Sequence, residues 1–258
     1  RVNYAVRDSL LSVWLAANSE IDSSAFPGFF SIKREYPQYV YPYASNRLSE
    51  GMQDSILAEI KLIGDLIEEK PEKTGSDSLY LRFFRNMSDL YTYTWKHSWL
   101  SDSRFQIRDS AMADNFIWLK ENWYRERKVI VWAANFHTSY CNSCYEPPAF
   151  KFKTMGERIK EKYGDRCYSI SLTSFANDEP SAPEEAFNNK SIEYLMHQLG
   201  YSYLFLDFGT VDTTSFLRGK IIMNCNQNMS FNAFWHKITD GVLFIDTIKR
   251  IHPLNEKQ

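Results

Sequence analysis

The apolar residues of this chain change their spacing once, near residue 105, and that change constrains the fold more than any single motif. Before it, stripes recur at helical spacing: Val6, Leu10, Val13, Trp14 and Ala17, then Met52, Ile56, Ile60, Ile63 and Ile67. A third runs through Tyr80, Phe83, Phe84, Met87, Leu90, Tyr91 and Trp95. Apolar groups three and four apart share one helix face, and a proline cannot continue a helix, so three helices are predicted, the second ending before Pro71. The aromatic connector Phe26 to Tyr43 follows neither period. It reads first as a loop packed on the helices, and second as the wall or lid of a pocket.

After residue 105 the pattern alternates. A helix from Asp109 to about Arg125 precedes the apolar run Val129 to Ala133. A helix Met155 to Tyr163 stops at Gly164, and Cys167 to Leu172 reads as a strand. A helix Ile192 to Leu199 stops at Gly200, and Tyr203 to Leu206 is the next strand; Phe231 to His236 then leads to Val242 to Ile245. Strands that alternate with helices imply right-handed crossovers, and unbroken apolar runs imply a sheet covered on both faces. The expected fold is therefore α/β, a mainly parallel sheet flanked by helices, with residues 106–258 as the core and residues 1–105 as a helical cap. Asn177 to Asn189 is expected to be an exposed loop. A chain of 258 residues can bury about three quarters of its unfolded surface, so no disulfide or metal staple is required.

Composition removes several functions. Thirty basic residues stand against 32 acidic ones, net −2, which leaves no cationic surplus for neutralising nucleic-acid phosphates. The longest apolar run, Val129 to Ala134, is far below the roughly twenty residues of a membrane span. No G-x-G-x-x-G or P-loop pattern occurs, so nucleotide binding by those routes is not expected. Aromatic residues make up 16% of the chain, against the aromatic-poor composition of disordered segments. The first residue is Arg1 rather than Met, with no charged-then-apolar leader, so a processed or truncated product is expected, any targeting signal having gone with the missing part.

In open parallel sheets ligands collect beyond the carboxyl ends of the strands. On that reading His137 and Asn135 follow the Val129 run, Asp207 ends the third strand and Asp246 the fourth. A neutral imidazole at His137 could accept a proton from water or hydrogen-bond an oxyanion; it could equally hold a turn. Asp207 and Asp246 are also ordinary turn formers. Arg108 and Asp109 open the preceding helix, Asp109 as N-cap. Arg108 shares a face with Met112, Asn115 and Leu119, and an Arg on a buried face would be aimed at a carboxylate or a substrate oxygen. His137, Cys141 and Cys144 form H-x3-C-x2-C, three ligands where a structural zinc needs four, so a disulfide or free thiols are preferred and no metal is expected. Cys167 and Cys225 read as buried apolar groups, and His97, His197, His236 and His252 as exposed. No G-x-S-x-G elbow is present.

Three stretches carry a more specific signal: "RDSAMADNFIWLKENW", "KVIVWAANFH" and "TMGERIKEKYGDRCYSISLTS", followed by "YLFLDF" and "TDGVLFIDTIKRIHPL". In order and spacing, residues 105–254 closely resemble the erythromycin esterase family. The resemblance implies hydrolysis of an ester, a macrolide lactone in the type members and hence antibiotic resistance. Its mechanism would be free of metal and cofactor, a histidine oriented by a glutamate activating water. The ligand would be a small ester or lactone. The family's W-A-H-N-x-H motif appears here as Trp132-Ala133-Ala134-Asn135-Phe136-His137, with Ala134 where the first His is expected. The family's amino-terminal G-E-x-x-H-G has no counterpart. The implied reading is an esterase-like hydrolase carrying part of its site, with His137 catalytic and Asn135 and Arg108 binding substrate. The second reading is a binding or structural module without catalysis.

Overall fold

The structure, a computed structural model, describes residues 13–18, 21, 23–33, 48–97, 101–146, 151–177, 190–226 and 229–248. It divides into two compact units, Arg1–Ala111 and Met112–Gln258.

The first unit is helical. After a helical turn at residues 13–17 come α1 (Pro27–Lys33), α2 (Glu50–Glu68), α3 (Gly75–Trp95) and the start of α4 (Asp102–Asn122). Ser49 caps α2 by accepting from the Met52 N–H, and Thr74 and Asp77 form a reciprocal capping box on α3, which satisfies amides that a helix start leaves unpaired. The two predicted stripes meet: Ile56, Ile60, Ile63 and Ile67 are buried with Phe84, Met87 and Tyr91. The connector expected to be irregular is helical from Pro27, and residues 34–43 lie outside the described residues. Proline suits a first helical position, and the Glu59 carboxylate accepts from the Gly28 and Phe29 N–H groups at 3.2 and 2.7 Å. α4 begins seven residues earlier than expected. Ser101 accepts from the Arg104 N–H at 3.2 Å, so Asp109 is not the N-cap but a buried residue inside the helix.

The second unit contains α5 (Asn135–Thr138), β1 (Tyr145–Glu146), α6 (Met155–Tyr163), β2 (Ile170–Asn177), α7 (Ile192–Gln198), β3 (Tyr203–Asp207), β4 (Ile221–Asn226), β5 (Met229–Ala233), α8 (Trp235–Ile238) and β6 (Gly241–Ile248). Gly164 and Gly200 follow α6 and α7 at φ 56° and 74°, a region that glycine enters without a Cβ penalty.

The class is α/β, but the mainly parallel sheet is overturned. One sheet runs β1-β5-β4 and is antiparallel throughout; the other runs β2-β6-β3, with β2 parallel and β3 antiparallel to β6. The strands β4 and β5, not anticipated from the sequence, are two residues apart, and so short a link joins only antiparallel neighbours. The expected strand Val129 to Ala133 is absent. The run enters no ladder among the described residues, and Ile130 and Trp132 are 91% and 83% exposed. Between the sheets and α7 lies a core of Ile192, Phe208, Met223, Trp235, Val242 and Phe244, where the Trp235 indole N–H donates to the Ile221 carbonyl at 2.8 Å. Among the described residues no helix is long and apolar enough to cross a membrane.

Candidate functional site

A single helical turn, α5, carries two of the predicted site residues, and it is fixed on several sides. The Asn135 side-chain amide donates to the Leu172 carbonyl at 2.6 Å, and its oxygen accepts from the Leu172 N–H at 2.9 Å. A side chain thus pairs with one residue at the free edge of β2 as a neighbouring strand would. The Ser169 hydroxyl donates to the Thr138 carbonyl at 3.0 Å, and the Thr154 hydroxyl to the Ser139 carbonyl at 2.5 Å. Thr154 also caps α6 by accepting from the Glu157 N–H. Gly156 lets α6 approach: a Cβ there would stand 2.3 Å from the Thr138 oxygen.

His137 is 8% exposed, with the Phe136 ring 5.6 Å away and edge-on. It does not follow a strand, as expected, but sits on a turn held against the amino-terminal half of β2. Asn135 is beside it with both amide groups committed to Leu172. Arg108 belongs to the first unit, where it is exposed on α4; Leu119, on the same predicted helix face, is exposed too, so that face is not buried as the sequence suggested.

A cavity of about 480 Å³ opens in the second unit. Its lining includes Asn135, Thr138 and Tyr140 but not His137; Phe116, Val131, Trp132 and Ile159 supply apolar wall. At its polar end the Tyr140 hydroxyl donates to Asp240 Oδ2 at 2.7 Å, and the Ser169 N–H donates to the same oxygen at 2.7 Å. Burial and the Asp240 carboxylate push the Tyr140 phenol well above its ordinary range, so it remains a donor. Lys160 stands 3.9 Å from Asp240 Oδ1 and 4.8 Å from the Tyr140 ring centroid.

Glu193, in the first turn of α7, is fully buried. Its Oε1 accepts from the Thr173 hydroxyl at 2.6 Å and the Asn224 N–H at 2.8 Å, while Oε2 has no hydrogen-bond partner among the described residues. Burial pushes its carboxyl above the ordinary value. The sequence signals only a helix start here, since Ser191 caps α7 and an acid in the first turn is routine. Neither Asp240 nor Tyr140 was legible as a site residue, because their pairing spans a hundred residues.

The two strand-end aspartates separate. β3 is antiparallel to β6, so Asp207 pairs with Gly241 at the start of β6. Asp246 lies five residues further along β6, about 17 Å away at strand rise. Asp207 accepts from the Gly209 N–H, an ordinary turn. Asp246 holds His197 at 2.7 Å, and that imidazole stacks on Phe175 at 3.9 Å. His197 is therefore paired but only half-buried, as are His97 and His236, and His252 lies outside the described residues. Cys141 and Cys144 form a disulfide, which leaves neither sulfur as a thiolate for a metal. Cys167 is a half-buried thiol. Among the described residues no three His, Cys, Asp or Glu side chains gather as metal ligands.

Fold and site together define a mixed α/β protein with a buried histidine on a turn pinned to a sheet edge. The sequence model of the erythromycin esterase family matches residues 5–248, and the chain belongs to that family. The match extends through the first helices, beyond the 105–254 stretch in which the motifs are evident. The chain is 25% identical over 96 residues to YbfO of Bacillus subtilis (strain 168), a protein named provisionally as a hydrolase; that stretch is 36% of this chain and 21% of YbfO. A Bacillus cereus protein of known structure superposes with a TM-score of 0.79 at 18% identity, over 98% of this chain and 66% of its own. A succinoglycan biosynthesis protein gives a TM-score of 0.63 at 14% identity, over 89% and 62%. The erythromycin esterase EreC, as a mutant in its open conformation, gives 0.52 at 13%, over 80% and 55%. The chain thus spans just under two thirds of the Bacillus cereus protein and less of the others.

Proposed function

We propose that this chain forms part of a hydrolase that cleaves a small ester or lactone by attack of histidine-activated water, without metal or cofactor. Water adds to the acyl carbon, its proton passes to a histidine, and the proton returns to the leaving alcohol as the C–O bond breaks. His137 serves this reaction by polarising the carbonyl oxygen or steadying the oxyanion. The water-activating histidine and its glutamate belong to the family motif that these residues lack. One observation carries the reading: in a chain of the erythromycin esterase family, the His137 that matches the family motif is buried on a turn fixed to β2. Asn135 contributes by holding that turn, since its amide is already used.

The test is a screen of small esters and lactones, macrolides included, with the full-length protein and His137→Ala. Loss of one oxyanion-type donor costs about 10²–10³ in turnover; an unchanged rate refutes the role. A second reading, a binding or structural module without catalysis, is favoured by Ala134, which can neither donate nor hold a proton where the motif has a histidine. It predicts ligand binding with no turnover by the full-length protein.

A further inference from the structure

The Cys141–Cys144 bridge constrains very little chain, since only Asn142 and Ser143 lie between the two cysteines. The stabilisation that a bridge gives a fold equals the stabilisation that the fold gives the bridge. For so short a loop that factor is about ten- to thirtyfold, against roughly a few thousandfold for a loop of about a hundred residues. The fold around the bridge is held by other contacts. Before it, the Tyr140 N–H donates to the Ile238 carbonyl at 2.8 Å and the Tyr140 hydroxyl donates to Asp240. Inside the loop, the Asn142 amide donates to the Phe152 carbonyl at 3.0 Å. After it, Tyr145 is buried, pairs with Ala233 and packs edge-on against Phe231 and Trp235. Both cysteines are only half-buried and Ser143 is exposed, which leaves a small thiol an approach to the sulfurs.

We propose that Cys141–Cys144 is a redox-active disulfide, opened by exchange with a small aliphatic thiol and closed again without loss of the fold. Ser143 sets the direction of attack. Its hydroxyl lies 3.5 Å from Cys141 Sγ, and because a bridged sulfur carries no proton, the hydroxyl is the donor. The same donor steadies a thiolate at Cys141, and a thiol of lower pKa leaves faster. The incoming thiolate therefore attacks Cys144 Sγ, and the S–S electron pair departs with Cys141 Sγ, which takes up a proton. A second thiol molecule then attacks the sulfur of the first, releases Cys144 as a thiol and forms the small-molecule disulfide. Two electrons and two protons pass from two thiols to the bridge. A purely structural bridge is the other reading, but the short loop and the independent anchors on both sides leave it little to hold. The inference does not depend on the hydrolase reading.

The experiment incubates the purified chain with millimolar reduced glutathione, quenches samples with iodoacetamide and reads Cys141 and Cys144 by peptide mass spectrometry. The bridge should open in most molecules, since structural bridges resist glutathione and labile ones do not. The early intermediate should carry glutathione on Cys144 and the alkyl group on Cys141. Ser143→Ala should slow opening about threefold or more, the worth of one hydrogen bond. The far-ultraviolet spectrum should stay unchanged, amide exchange at Cys141 and Cys144 should quicken at least tenfold while β6 keeps its protection, and oxidised glutathione should restore the bridge. A bridge that resists glutathione and yields only to dithiothreitol overturns the proposal, and so does an opening that unfolds the chain. Glutathione on Cys141 instead, or a Ser143→Ala rate equal to the parent's, overturns the direction of attack. A negative ester screen leaves each of these results as it stands.

Discussion

Gly156→Ala sets two known effects against each other, and the structure decides between them. Gly156 is the second residue of α6, and an added Cβ would lie 2.3 Å from the Thr138 oxygen, 2.4 Å from its carbonyl carbon and 2.7 Å from the Ser139 oxygen. Non-bonded heavy atoms rest about 3.5–4.0 Å apart, so one methyl group would overlap three backbone atoms. Helix propensity pulls the other way, favouring Ala over Gly by about 1 kcal/mol. Overpacking costs about 1–3 kcal/mol where side chains can move aside. Here the obstacles are peptide carbonyls, each held by a hydroxyl, from Ser169 at 3.0 Å and from Thr154 at 2.5 Å. Sterics therefore win, and a net loss of about 3 kcal/mol is expected, at the upper end of that range. In a body of this size it lowers Tm by roughly 6–12 °C. Gly64→Ala in α2 is the control, because its Cβ would meet only the Leu81 Cδ1 at 3.9 Å; a gain of about 0.5–1 kcal/mol is expected there. Guanidinium and thermal unfolding of both variants measure the contrast. A Gly156→Ala protein within about 0.5 kcal/mol of the parent, the range of a neutral surface change, would refute the approach of α6 to α5 and with it the placement of His137.

Three further substitutions test the surroundings of the site. Asn135→Ala should cost about 2 kcal/mol, two net hydrogen bonds to Leu172. Asn135→Asp should do no better, since its second oxygen would face the Leu172 carbonyl; a fully stable Asp variant in urea unfolding would show the amide is not a backbone clamp. Burial raises the Glu193 carboxyl above its ordinary 4.5, so the folded chain holds that proton more tightly than the unfolded chain does. The resulting stability is complete below pH 4.5 and is lost as the pH rises through the folded value. Glu193→Gln should flatten stability above pH 4.5, and identical pH slopes in parent and variant would refute it. The Cys141–Cys144 bridge closes so short a loop that reducing it should cost only about 1.5–2 kcal/mol on the chain-entropy estimate. A loss twice that size in unfolding with and without reductant would mean the bridge also holds the fold around β1.

Particular elements show where the sequence was sufficient. α6 spans the residues expected, Met155–Tyr163, because its amphipathic spacing, its Thr154 cap and its terminal Gly164 all act within one or two turns. α7 falls one residue short of expectation for the same reasons. β4 was not legible, since Asn224 and Asn226 interrupt its apolar residues and resemble turn signals. The Val129 run was legible as strand-like, and only its lack of a partner was not. Among site residues, His137 stands out by motif and by its place after an apolar run. The commitment of Asn135 to Leu172 leaves no trace in the residues around either.

The chain's own sequence determined what short-range physics controls: the helical character of the first unit, the caps, the glycine stops, and the α/β alternation that follows. Tertiary structure alone decided the direction of β3, the burial of Glu193, the meeting of Tyr140 with Asp240, and the exposure of Ile130 and Trp132. Those outcomes depend on which groups arrive from distant parts of the chain. A run of β-branched residues has the right backbone preference for a strand, but becomes one only when another chain segment supplies the opposing N–H and C=O groups. Likewise a carboxyl is an ordinary surface acid until the fold removes its water.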